Sequence, residues 1–251
     1  MLAHPTHDKL QKLRLHGMAK ALAEQAQLGD LDHLGFEERL GLLVDREMTE
    51  RDSRQLGQRL KRARLKSAAV PEDVDYRHPR GLDRPLFTRL IAGQWLIEKH
   101  NVLLTGPTGC GKTWLGCTLA HQACRQGYSA LYVRLPRLLD ELAQGRGDGR
   151  YSKLLAQLGK VDVLLLDDWG LAVLDDRHLR DLLEVLDDRH GNRSTLVTSQ
   201  LPVDHWHEAI GDPTLADAIL DRLVHNAYQL KLTGESIRKK RRQLTDIGKP
   251  E

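Results

Sequence analysis

Three cysteines are all that 251 residues contain: Cys110, Cys117 and Cys124, at intervals of seven around one loop and the stretch after it. There is no C-x-x-C pair and no histidine at ligand spacing, so neither a metal centre nor a disulfide framework is indicated. Cys117 and Cys124 read as small core residues. No run of about 18 apolar residues is present and the N-terminus does not read as a signal peptide, which gives no reason to place the chain in or across a membrane. A reducing cytoplasm is the expected setting. The net charge is only +3, too little by itself to call for a polyanionic partner. What remains is an ordinary globular composition, 40% hydrophobic and 29% charged, long enough for one or two domains with a sizeable core.

The chain is organised around residues 101–118. A short apolar run, Val102 to Leu104, leads into Gly106-Pro107-Thr108-Gly109-Cys110-Gly111-Lys112-Thr113 and then Trp114. This fits G-x-x-x-x-G-K-[ST], the phosphate-binding loop. Glycines let the backbone curl until successive N–H groups face a polyphosphate, where a Cβ would stand in the way. The helix that follows adds the positive end of its dipole. Lys112 reaches the β/γ-phosphates and the Thr113 hydroxyl ligates Mg²⁺. Residues 106–114 are therefore expected to bind a nucleoside triphosphate, and Cys110 is expected to make the loop sensitive to thiol reagents.

Before the loop, Leu10, Leu13, Met18 and Leu22 recur at helical spacing from Asp8 to about Gln27, and Phe36, Leu40, Leu43, Val44 and Met48 repeat the pattern after glycines 29 and 35. With no strand-like alternation, residues 1–68 read as a small helical domain. Its second helix continues into a basic run, Arg51, Arg54, Arg59, Lys61, Arg62, Arg64 and Lys66, against Asp52. Such a run suits phosphate neutralisation on nucleic acid, or is simply a solvated helix face. Residues 69–85, with Pro71, Pro79 and Pro85, read as a linker whose basic tract YRHPRGLDR (76–84) either touches DNA or adenine or is a plain connection, and residues 86–98 as one helix.

After the loop, residues 129–135 form a strand pattern, 136–144 and 151–158 two short helices, and 145–150 a flexible basic loop between them. Val161-Asp162-Val163-Leu164-Leu165-Leu166-Asp167-Asp168-Trp169 is an apolar run tipped by acids, as a central parallel strand requires. At its C-terminal end Asp167 would hold Mg²⁺ and Asp168 would polarise the attacking water. A strand over 194–202 brings Thr198, Ser199 and Gln200 beside those acids. A helix over 215–226 carries Arg222, a strand YQLKL follows, and the basic block 238–242 comes late in the chain.

The order of loop, inserted helices, acid-tipped strand, polar-tipped strand and Arg-bearing helix resembles the AAA+ ATPases. A nearer resemblance is to the IstB-like transposition-helper ATPases of bacterial insertion sequences, relatives of the helicase loader DnaC and the initiator DnaA. It rests on GPTGCGKT (106–113), LLLDDWGL (164–171), RSTLVTSQLPVDHWH (193–207), DPTLADAILDRLVHNAY (212–228) and GESIRK (234–239), with LRLHGMAKAL (13–22) and YRHPRGLDR (76–84).

The resemblance implies an α/β fold, an AAA+ P-loop parallel sheet flanked by helices over 86–251, behind a small N-terminal helical domain that binds DNA or a partner. The usual C-terminal lid would be truncated or absent. It also implies that Gln200 is the sensor-1 residue, with Ser199 as the substitute. Arg222 would be an arginine finger reaching a neighbouring subunit's nucleotide, and Arg238 a sensor-2 arginine. Asp168 stands where many AAA+ proteins carry Glu. The function implied is an ATP-dependent regulator that assembles as a homo-oligomer on duplex DNA, largely without sequence preference, and recruits or activates its transposase. A DnaC-like helicase loader is the alternative. A small-molecule kinase and a nucleotide-dependent scaffold are further readings, the first weakened by Arg222 and by the lack of an acceptor-binding lid.

Overall fold

Val163, Leu164, Leu165 and Leu166 are fully buried, which a strand achieves on both sides only inside a sheet covered on each face. The computed structural model describes residues 5–27, 33–234 and 236; Arg238 and the basic block 238–242 lie outside the described residues. The chain divides into two compact units, Met1–Gln58 and Arg59–Glu251.

The first unit is helical, with α1 (Pro5–Lys12), α2 (His16–Gln25) and most of α3 (Phe36–Ala63). The periodicity over 8–27 suggested one helix, but the chain breaks at Arg14, whose φ is +59°. Gly17 then lets α2 approach α3 closely, because a Cβ there would collide with the Glu47 backbone. Glu47 caps the start of α2 by accepting from the N–H groups of Gly17 (2.7 Å) and Met18 (3.2 Å).

The second unit continues through α4 (Arg84–Ala92), α5 (Gln94–Ile97), β1 (Asn101–Thr105), α6 (Lys112–Arg125), β2 (Ala130–Arg134), α7 (Leu135–Asp148), α8 (Tyr151–Lys160) and β3 (Val163–Trp169). It goes on through α9 (Asp176–Arg189), β4 (Ser194–Ser199), α10 (Trp206–Ile210), α11 (Pro213–Val224) and β5 (Ala227–Lys231). The five strands lie in the order β2-β3-β4-β1-β5 and every pairing is parallel. One face of the sheet, with Leu165 and Leu196, packs against α6 at Gly116. Leu103, Leu164, Leu166 and Val197 join the cluster built with α7, α9 and α11.

Two local expectations are corrected. Residues 86–98 are not one helix: Gly93 at φ +92° parts α4 from α5. Residues 145–150 are not a loop, because α7 runs on to Asp148 before Gly149 at φ +78° ends it. Leu135, Leu138, Leu139 and Leu142 anchor that helix in the core, and Gly145 packs against Leu154, so burial outweighs the propensity cost of its glycines.

Candidate nucleotide site

The site gathers at the C-terminal ends of the strands, where a parallel sheet exposes its crevice. Beyond Thr105 the chain turns through three left-handed glycines, Gly106 (φ +143°), Gly109 (+87°) and Gly111 (+93°), the last one capping α6. A Cβ at Gly106 would meet the Leu232 carbonyl and one at Gly109 the Ser236 side chain, so only glycine fits at either. Lys112 opens α6 and folds back, donating to the carbonyl oxygens of Gly106 (2.6 Å) and Pro107 (2.8 Å). Burial pushes its pKa below the ordinary lysine value, opposed by Cys110 and Asp167. Cys110 itself is 0% exposed, so the expected reactivity toward thiol reagents is not supported by its position.

β3 carries an irregularity where it pairs with β4: Leu166 faces Val197 and Trp169 faces Ser199, leaving two residues opposite one. Those two are the acids, which the bulge aims differently. Asp167 points into the site with its side chain 1% exposed. Its Oδ1 accepts from Thr113 Oγ1 at 2.7 Å and from the Thr198 hydroxyl, and its Oδ2 from Tyr132 Oη at 2.7 Å. Lys66 Nζ lies 3.4 Å from the same Oδ2. Burial alone would raise the Asp167 pKa, but the hydrogen bonds from Thr198, Tyr132 and Thr113 and the Lys66 charge hold it below the usual value. Tyr132 is pushed well up by burial and by donating to that carboxylate.

The donor set fits a magnesium ion. A hydroxyl and a carboxylate oxygen meet at hydrogen-bond distance beside the phosphate loop. No cluster of three His, Cys, Asp or Glu exists among the described residues to cage a different metal. Mg²⁺ favours few protein oxygens completed by substrate phosphate and water.

Asp168 adopts φ +65°, which Asp tolerates better than most residues, and its Oδ2 accepts from Arg134 Nε at 2.6 Å. Gln200, at the exposed tip beyond β4, meets Thr108 of the loop, Oε1 to Oγ1 at 2.6 Å. Ser199 also lines the cavity, with its hydroxyl donating to the Trp169 carbonyl (2.9 Å) and accepting from Leu201 N–H (3.0 Å). A cavity of about 720 Å³ joins these residues with Trp114, Lys66, Asp75 and Arg80. The volume falls in the range of sites that enclose a nucleotide-sized ligand.

Arg222 is elsewhere. At the end of α11 it pairs with Asp187 and donates to the Ala218 carbonyl (2.7 Å), and its own carbonyl accepts from Asn101 at the start of β1, the opposite end of the strands from the cavity.

Sequence reasoning assigned Lys66 to the basic run and Asp75 to a linker, with contact to DNA or adenine as one reading of the tract that holds Arg80; all three line the cavity. Arg80 is buried, donates to the Asp75 carbonyl (3.0 Å), and burial lowers its pKa. The left-handed Arg64 (φ +51°) ends α3 shortly before Lys66, a turn that no sequence pattern announced. The basic run is also less unpaired than it looked. Arg51 pairs with Glu47, and on the insertion Arg146 pairs with Asp181 and Arg150 with Asp148. Arg54, Lys61, Arg62 and Arg64 are exposed. No helix among the described residues is long and apolar enough to cross a membrane.

A family model described as IstB-like ATP binding protein matches residues 8–245. The insertion sequence ATP-binding protein y4pL of Sinorhizobium fredii is 56% identical over 243 residues, 97% of this chain and 99% of that protein. Among solved structures, the crystal structure of DnaI superposes with a TM-score of 0.58 at 25% identity, covering 66% of this chain and 92% of that one. AMPPCP-bound DnaA from Aquifex aeolicus shares the fold, with a TM-score of 0.56 at 15% identity over 75% of this chain and 58% of that one.

Proposed function

This chain belongs to the IstB-like ATP binding protein family and is an AAA+ ATPase, and we propose that it is an ATP-dependent regulator of transposition that assembles on duplex DNA. The observation that carries the nucleotide part is the 2.7 Å contact between Thr113 and Asp167 beside Lys112, which unites the two halves of a phosphate site from distant parts of the chain. The transposition part is supported by relatives of matching length named for insertion sequences.

In this reading residues 106–114 wrap the triphosphate, with Lys112 exchanging its loop carbonyls for the β/γ-phosphates. Thr113 and Asp167 hold Mg²⁺, which neutralises developing phosphate charge when bound. Asp168 takes the role of orienting and polarising water, and Gln200 that of reporting the phosphate end through Thr108. Arg222, remote from its own cavity, serves the nucleotide of a neighbouring copy. Arg238 is assigned the sensor-2 role from its motif alone. Residues 1–68 serve DNA or partner binding, 69–85 connect, and 86–251 form the motor in the bacterial cytoplasm. Hydrolysis releases the assembly, and the cognate transposase is its client.

The test is electron microscopy of the protein with duplex DNA, with and without a non-hydrolysable ATP analogue, alongside ATP hydrolysis rates. Nucleotide-dependent assemblies on duplex and DNA-stimulated hydrolysis are expected. A preference for single strands and a replicative helicase would instead favour the loader function, and particles indifferent to DNA would overturn both.

A further inference from the structure

The contact that neither the phosphate-loop motif nor the acid pair explains is Lys66 on Asp167. Lys66 is the last member of the basic run, just beyond α3, yet its ammonium lies 3.4 Å from Asp167 Oδ2. The two partners are unlike: the carboxylate is 1% exposed and the lysine side chain 48%. The carboxylate is fixed by Thr113, Thr198 and Tyr132, whereas the lysine lines the cavity wall on a flexible stem with about half of its side chain in solvent.

Resting on the reading of this cavity as a Mg·ATP site, we propose that Lys66 is a positioning residue that competes with the divalent ion for Asp167 and so sets the Mg²⁺ concentration at which nucleotide is held. A buried carboxylate needs a counter-charge. Lys66 provides one, and Tyr132 and the two threonines keep Oδ1 and Oδ2 aimed while it does. A divalent cation on the same carboxylate repels the ammonium at close range, where the medium screens poorly. Both cannot hold Asp167, so metal binding expels Lys66 toward solvent. The other charges lining the cavity are Lys112, Arg80, Asp168, Asp73 and Asp75. Lys112 donates to the loop carbonyls, or to phosphate once nucleotide is bound, and Asp168 accepts from Arg134, which leaves Lys66 as the cation paired with Asp167.

The experiment titrates Mg²⁺ at fixed fluorescent ATP and reads the half-saturating metal concentration for nucleotide binding, with no turnover involved. Lys66→Gln is expected to lower that concentration about two- to fivefold, the range for a half-exposed ion pair. Lys66→Arg, which keeps the charge, is expected to stay near the parent. If Lys66→Gln leaves the Mg²⁺ midpoint unchanged or raises it, the competition is refuted. Lys112→Ala distinguishes the two levels of failure. If the parent binds ATP and Lys112→Ala does not, the nucleotide site stands whatever Lys66 does. If the parent binds no ATP at any Mg²⁺ concentration, the site reading itself is overturned.

Discussion

Arg134 Nε donates to Asp168 Oδ2 at 2.6 Å, so the carboxylate proposed to polarise water is held by a cation from the neighbouring strand. Arg134 is the last residue of β2 and pairs in register with Asp167, which sets it opposite the bulge that turns Asp168 outward. The ion pair also raises the Arg134 pKa, chiefly through this hydrogen bond. A base so occupied has to be released before it can act.

Asp168→Asn should therefore bind ATP within a few-fold of the parent and slow turnover by roughly 10²–10⁴, because an amide cannot take up the proton. Arg134→Ala should move basal hydrolysis the other way, up about two- to fivefold, by freeing the carboxylate. Steady-state phosphate release and equilibrium ATP binding separate the outcomes. Loss of ATP binding in Asp168→Asn would mean that the two acids exchange roles.

Lys112→Ala should weaken ATP binding by about a hundredfold, as expected when charge-assisted hydrogen bonds to phosphate are removed. Isothermal titration with Mg·ATP measures it. Near-normal affinity would remove the phosphate-loop assignment.

Exposed Lys61, Arg62 and Arg64 follow one another where α3 ends. Replacing all three with Ala should weaken duplex binding and flatten its salt dependence together, by about 0.9 in log–log slope for each phosphate no longer neutralised. Fluorescence anisotropy over a salt series reads both quantities. An unchanged slope would make the run a solvated surface.

Arg222→Ala should keep ATP binding and slow turnover by about 10³–10⁵ if the guanidinium acts across a subunit boundary. Mixing it with Lys112→Ala should restore part of the activity, since some interfaces then pair an intact finger with an intact loop. If mixed assemblies form without recovery, Arg222 serves its own subunit through Asp187 and the Ala218 carbonyl.

Most of the sheet was legible because its strands are local apolar runs ended by motif residues: 161–169 and 194–202 contain β3 and β4. The phosphate loop and both acids were legible for the same reason, each being a contiguous signature. What escaped depends on residues far apart in sequence. The break at Arg14 and the approach of Gly17 to Glu47 are fixed between helices, not within one. Arg189 closes α9, where nothing in the local sequence marks it out. It is buried, and its guanidinium donates to the carbonyls of Leu158 (2.6 Å), Val161 (2.8 Å) and Ser194 (2.5 Å), tying α8 and the starts of β3 and β4. Lys66 was hidden in a basic run whose composition gave no sign that one member turns inward.

The placing of Leu232 and Ser236 against Gly106 and Gly109 has a practical side for dissecting the molecule. A polypeptide stopped after Lys231 would retain the complete strand order and every residue of the phosphate signature. It would nonetheless lack the backing on which the loop rests, including the hydrogen bond from Leu232 N–H to the Thr105 carbonyl at 2.8 Å. Truncation from that end is thus a perturbation of the nucleotide cradle, however far in sequence the removed residues stand from it.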